Sequence, residues 1–136
     1  MQARIRPNID QDIKPFWDAL LEHKFKLLRC KKCGAWYWPV SYCRRHPSLW
    51  EDMEWAEACG KGKVFTFNIH RVPFHPAFKD ALPYVYALVE LDEGPLIGSN
   101  IVNCNLQDVK VGMPVKLIYE DHYEDGFVLP KFEPLA

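Results

Sequence analysis

Four soft metal ligands stand at knuckle spacing: Cys30-Lys31-Lys32-Cys33, then nine residues, then Cys43-Arg44-Arg45-His46. Two such knuckles can close a tetrahedral site. Thiolates and a neutral imidazole suit zinc, and a set of four protein ligands with no open position is structural rather than catalytic. Gly34 turns the chain after the first knuckle, whereas Pro47 follows His46 where a second glycine would be usual. Cys59 is the alternative fourth ligand, but a compact two-knuckle site does not need its reach. The plain alternative is four residues scattered in an aromatic loop, with the cysteines packing as small apolar groups. Cys104 stands apart and reads as packing.

The same knuckles carry Lys31, Lys32, Arg44 and Arg45. A folded ribbon would gather these cations on one small surface able to meet phosphate, for which arginine is the better bidentate partner. Keeping the knuckles solvated is the simpler account. Lys61 and Lys63, in a glycine-rich turn, form a second candidate pair with the same two readings. For catalysis the candidates are His70, His75, His122, Asp80, Cys59 and Cys104. A nucleophile needs a base within hydrogen-bond reach and a third group to orient it, and no local motif places these residues in such a set.

The elements around these residues can be read from periodicity. Ile13, Phe16, Trp17, Leu20 and Leu21 fall on one helical face. The pattern predicts a helix over 13–24, with Asp12 as N-cap and Pro15 in the first turn, where its missing N–H costs nothing. Three turns are marginal alone, so this stripe docks either on its own domain or, as slightly favoured, on a partner. Trp36, Tyr37, Trp38, Trp50 and Trp55 then make the ribbon segment too aromatic for a solvated loop. They either glue the ribbon to the next domain or anchor an interface.

Beyond residue 59 the pattern is β. Val64 to Ile69 alternates with Phe65, Phe67 and Ile69 on one face, and Pro83 to Leu91 forms a second strand. Leu96 to Val102, Val115 to Tyr119 and Phe127 to Phe132 follow, separated by turn residues. Five short strands predict a closed barrel of OB type. The fold class is therefore mainly β: an N-terminal helical segment at 1–24, a zinc ribbon at 25–58 and a five-stranded barrel at 59–136. The stretch between Arg71 and Leu82 is the least regular.

Composition sets outer bounds. The chain has 136 residues, 49% of them hydrophobic, enough for one substantial core. A net charge of -1 removes the broad positive field of a nucleic-acid binder. Glu90, Asp92, Glu93, Glu120 and Asp121 at the strand ends would repel a phosphate backbone, so Phe65 and Phe67 read as barrel core rather than base-stacking platforms. Five cysteines at metal rather than disulfide spacing point to a reducing compartment, hence the cytoplasm. No apolar run is long enough for a membrane span or a signal peptide.

The ordered series of helix, ribbon, Gly-Lys-Gly-Lys-Val at 60–64, Pro-Tyr-Val-Tyr-Ala-Leu-Val-Glu-Leu-Asp-Glu-Gly at 83–94, Val-Gly-Met-Pro-Val at 111–115 and Leu-Pro-Lys-Phe-Glu-Pro at 129–134 resembles one family. That family is acyl-CoA-associated and joins a rubredoxin-like zinc ribbon to an OB-fold, and the resemblance covers about 12–134. It implies a small non-catalytic subunit that binds a thiolase-like or lipid-transfer-protein-like catalytic partner, with two copies of each, and helps it handle a CoA thioester. Its members usually have cysteine at the position of His46, so a Cys3His zinc site is implied here. The histidine-substituted knuckle and the tryptophan-rich segment are most similar to small subunits of benzoylsuccinyl-CoA thiolases of anaerobic toluene degradation. Retro-aldolase complexes of steroid side-chain degradation use a similar subunit. A single-stranded nucleic-acid-binding OB-fold is the remaining alternative.

Overall fold

The computed structural model describes residues 7–39, 41–73 and 76–135. The helix, α1, spans Lys14–Leu21, shorter at both ends than the periodicity predicts. Asp12 does not cap it. Asp10 Oδ1 instead accepts the N–H groups of Asp12 and Ile13 at 2.9 and 3.1 Å, because a carboxylate two or three residues upstream reaches donors that Asp12 itself cannot. The other end closes where His23 takes a left-handed conformation at φ 56. There Lys24 N–H donates to the Ala19 carbonyl and His23 N–H to that of Leu20, the paired bonds of a Schellman stop.

Docking of α1 is internal, against the expectation that favoured a partner. Phe16 and Leu20 are fully buried in the main core, and Trp17, Ile13 and Leu21 pack against it. Phe16 sits 4.3 Å from the Trp38 ring and 6.1 Å from that of Phe25, so the stripe is satisfied by the ribbon and the barrel together.

Three strands build the ribbon: β1 (Lys26–Cys30), β2 (Trp36–Tyr37) and β3 (Met53–Glu57), antiparallel in the order β2-β1-β3. Five more close into a barrel: β4 (Lys61–His70), β5 (Tyr84–Leu91), β6 (Leu96–Ile101), β7 (Pro114–His122) and β8 (Phe127–Pro134), in the order β4-β5-β6-β8-β7. Every pairing is antiparallel except β6 with β8, which is the Greek-key closure of an OB-fold. Between Arg71 and Leu82 the described chain holds a 3-10 segment, Pro76–Ala81.

One strand departs from its alternation. Val64 pairs with Val89 and Thr66 with Leu88, so a bulge leaves Phe65 without a cross-strand partner and reverses which residues point inward. Val64 is buried, Phe67 and Ile69 pack on the core, and Phe65 is 51% exposed rather than a core residue. Gly62 is required nearby, since a Cβ there would run into the carbonyl oxygen of Glu90 on β5.

The β6–β8 seam is thin in backbone terms, with a single register pair, Ile101 with Phe132. Side chains supplement it. Ser99 Oγ donates to the Pro130 carbonyl at 2.6 Å, and Lys131 Nζ donates to Asn100 Oδ1 across the seam. Asn100 is oriented in turn by donating from Nδ2 to the Val85 carbonyl at 2.9 Å.

Candidate metal centre

The first knuckle grows out of β1. Cys30 ends that strand, its N–H donates to the Ala35 carbonyl, and Gly34 N–H returns to the Cys30 carbonyl, both at 2.8 Å. Gly34 adopts φ +78, which a side chain would strain, so the turn that brings Cys33 back toward Cys30 depends on it. The second knuckle is held by Ser48 Oγ donating to the Cys43 carbonyl at 3.0 Å. It is also held by the 3-10 turn Trp50–Asp52, where Leu49 N–H donates to Asp52 Oδ2 at 2.8 Å.

These turns bring together Cys30, Cys33, Cys43 and His46, with all four ligand atoms within 4.8 Å of one another. Cys30 Sγ lies 3.3 Å from His46 Nε2, and Cys33 Sγ lies 3.5 Å from Cys43 Sγ. Zinc bound tetrahedrally at about 2.0–2.3 Å from each atom would set ligand edges at roughly 3.3–3.8 Å, which the two short pairs match and which the widest separation, up to 4.8 Å, would reach by closing inward; the donor types suit that ion. His46 is prepared for the task. Its Nδ1 is 2.8 Å from the Pro47 carbonyl, which can only accept, so the proton resides on Nδ1 and the Nε2 lone pair faces the sulfurs.

Outer contacts favour thiolate. Burial opposes ionisation of Cys30, but the N–H groups of Cys33 and Lys32 favour its thiolate and the thiol is lowered. Cys43 is lowered chiefly by the Tyr37 hydroxyl, which donates to its Sγ at 3.4 Å while accepting the Arg44 N–H at 2.8 Å. Cys33 is raised, since the Ala35 N–H cannot offset burial and the neighbouring cysteines. A cation at the centre would relieve that repulsion. Tyr37 is a second-layer residue that sequence reasoning missed, because nothing in an aromatic run separates a packing tyrosine from one aimed at a sulfur.

Cys59 is not part of this cluster: it lies exposed beside Glu93 and Asp92, its N–H donating to Glu93 Oε2 at 2.7 Å. Cys104 is half-buried against the core. The aromatic segment divides, with Trp36, Trp38 and Trp55 packed against the main core and Trp50 exposed with Tyr42 at the ribbon tip. The six cations do not form one patch. Lys31 Nζ donates to the Glu51 carbonyl, Lys32 pairs with Asp52 at 3.5 Å, and Lys63 pairs with Glu90 at 3.3 Å, while Lys61 is exposed opposite Lys116. Arg44 and Arg45 line a cleft of about 560 Å³ between the ribbon and the β5–β6 turn, beside Trp36, Trp38 and Leu96.

The catalytic candidates are dispersed among the described residues. His70 stacks on Tyr84 at 5.0 Å on the outer barrel, and His122 sits 2.7 Å from Glu120 Oε1. Asp80 is exposed in the 3-10 segment, and His75 lies outside the described residues. Exposure of Phe65 supplies a ring that could stack, but Lys63 beside it is already paired with Glu90. No helix among the described residues is long and apolar enough to cross a membrane.

Residues 17–46 match the ChsH2 rubredoxin-like zinc ribbon domain, and residues 55–119 match the ChsH2 C-terminal OB-fold domain. A DUF35 domain-containing scaffold protein of Methanocaldococcus jannaschii is 38% identical over 104 residues, covering 73% of this chain and 70% of that protein. The chain belongs to the ChsH2 (DUF35) family. A solved Ltp2-ChsH2(DUF35) aldolase contains a chain that superposes with a TM-score of 0.84 at 33% identity, over 96% of this DUF35 chain and 100% of that one. The alpha subunit of 3-oxo-4,17-pregnadiene-20-carboxyl-CoA hydratase of Mycobacterium tuberculosis is 31% identical over 123 residues, 88% of this chain. The chain spans only 37% of that subunit's length, and 40% of a second hydratase alpha subunit.

Proposed function

We propose that this DUF35 chain is an accessory, non-catalytic subunit of a heteromeric enzyme that processes an acyl-CoA thioester. The observation that carries this reading is the end-to-end structural match to a chain of the Ltp2-ChsH2(DUF35) aldolase. One zinc on Cys30, Cys33, Cys43 and His46 holds the ribbon rigid and takes no part in the reaction. Chemistry resides on a thiolase-like or lipid-transfer-protein-like partner, with two copies of each subunit in the assembly. The accessory chain supplies remote binding surface, which positions the reacting end of a long CoA arm. Arg44 and Arg45 in the cleft beside Trp36 are the favoured contacts for the CoA phosphates. Lys31, Lys32, Lys61 and Lys63 lie outside that cleft and are the second set of candidate phosphate contacts.

Two reactions fit such an assembly. Retro-aldol cleavage of a steroid side-chain thioester is supported by the aldolase and hydratase relatives. Thiolytic cleavage of benzoylsuccinyl-CoA is supported by the histidine in the second knuckle and the tryptophan-rich ribbon. Co-purification of the tagged chain from its host, with mass spectrometry and assays for both cleavages, tests the proposal. A partner of the stated class in equal amount, with activity lost on separation, is the expected result. A chain recovered alone and inactive toward both thioesters refutes it.

A further inference from the structure

A smaller pocket, about 240 Å³, opens where α1 and the ribbon cover the β6–β8 seam. Trp17, Trp38 and Tyr86 form aromatic walls, and Lys131 from β8 with Ser99 and Asn100 from β6 supply the polar wall. This is the region where a single backbone pair joins the two strands, so the pocket exists because the barrel leaves its seam to side chains. Glycine at 98 matters to its shape: the Tyr86 hydroxyl lies where a Cβ at Gly98 would stand, which lets the ring lie across β6.

The pocket joins three features. Its amine is fixed, since Lys131 donates to Asn100 Oδ1 and Asn100 is itself anchored to the Val85 carbonyl. An ammonium carries three donors and Asn100 accepts one, which leaves capacity for an incoming oxygen. Burial lowers the Lys131 amine, and the charge of Glu120 only partly opposes this, so the cation is poorly solvated. A carboxylate beside it would restore a charge-assisted hydrogen bond in a low-dielectric setting. The aromatic walls favour a flat apolar body. The volume lies below the usual 300–1,000 Å³ of drug-sized sites, which limits the ligand to about one ring.

We propose that this pocket binds a small aromatic carboxylate, with the carboxylate on Lys131 and the ring between Trp17, Trp38 and Tyr86. A bulky phosphorylated ligand is disfavoured by one amine and one ring's worth of space. The site is separate from the arginine cleft but shares Trp38 with it, so occupancy would be felt at the cleft wall. The binding claim itself does not depend on the proposed partner.

Titration of the full chain with benzoate, followed by tryptophan fluorescence and calorimetry, is the test, with benzamide as the neutral isostere and acetate as the ringless acid. Saturable binding of benzoate at or below the millimolar range is expected, with benzamide and acetate each weaker by about tenfold or more. Lys131→Met should abolish the preference for benzoate over benzamide. Equal affinity for benzoate and benzamide on the unaltered chain, or no saturation of benzoate by 10 mM, overturns the proposal; this arm does not depend on any variant folding.

Discussion

At the residue scale the decisive atoms are those of the candidate metal centre. Cys30 and Cys43 are buried, Cys33 is exposed, and the His46 tautomer is fixed by a neighbouring carbonyl. The purified chain should carry about one zinc, read by elemental analysis, as a closed four-ligand site requires. Cys33→Ser should lose it and unfold the ribbon, and His46→Cys should keep it. A metal-free wild-type protein of unchanged stability would refute the site. Lys131 supplies a pH test. In water its amine titrates near 10.5, and burial lowers it in the fold. Between the lowered value and 10.5 the unfolded chain binds more protons than the native one, so native stability rises with pH through that window and is lost again as pH falls through the folded value. The melting temperature of wild type relative to Lys131→Met should therefore climb as pH approaches 10.5. A flat difference would mean the amine is as well solvated as in the unfolded chain.

At the element scale α1 is a clasp rather than a free arm. Phe16 is 1% exposed, wedged between Trp17, Phe25 and Trp38. Phe16→Ala should cost about 3–5 kcal/mol by lost burial and residual cavity. Chemical denaturation would measure it, and a cost below about 1 kcal/mol would show that the helix contributes little to the fold. The two close glycines of the barrel should behave differently. Gly62→Ala drives a Cβ into the Glu90 carbonyl, backbone held by the β4–β5 ladder, and should cost about 1–3 kcal/mol. Gly98→Ala meets the tip of the half-exposed Tyr86 side chain rather than backbone, so its cost should be smaller. Equal destabilisation of the two would contradict this reading.

At the scale of the whole molecule, ribbon, helix and barrel share one core. Leu27 of β1 and Phe16 of α1 are buried in the same cluster as Val89 and Phe132 of the barrel. His23 ties the helix end to β7, with Nε2 2.6 Å from Asp121 Oδ1 and its ring 4.4 Å from Tyr119. Those contacts offset a left-handed backbone that costs a non-glycine residue about 1–2 kcal/mol. Such a chain can present ribbon and barrel to a partner as one surface, which lowers the ordering cost of association. Truncation of residues 1–24 should therefore lower the melting temperature of the barrel as well as of the ribbon; an unshifted barrel transition would separate them.

What the sequence determined by itself was whatever is local or periodic. Cysteine and histidine spacing located the four residues that the fold gathers within 4.8 Å, alternation located five barrel strands, and the 13–21 stripe located the helix. These are legible because knuckle turns, pleats and helical faces repeat over a few residues. What tertiary structure decided was whatever depends on partners distant in the chain. The β4 bulge moved Phe65 to the surface, a change of one residue that alternation alone cannot register. Asp10 displaced Asp12 as the residue that holds the helix start, and the stripe of α1 met the ribbon and the barrel of its own chain. Tyr37 became a support for Cys43, and Lys131 met Asn100 from 31 positions away. No spacing rule encodes such meetings, because they arise only when the barrel closes and brings β6 beside β8.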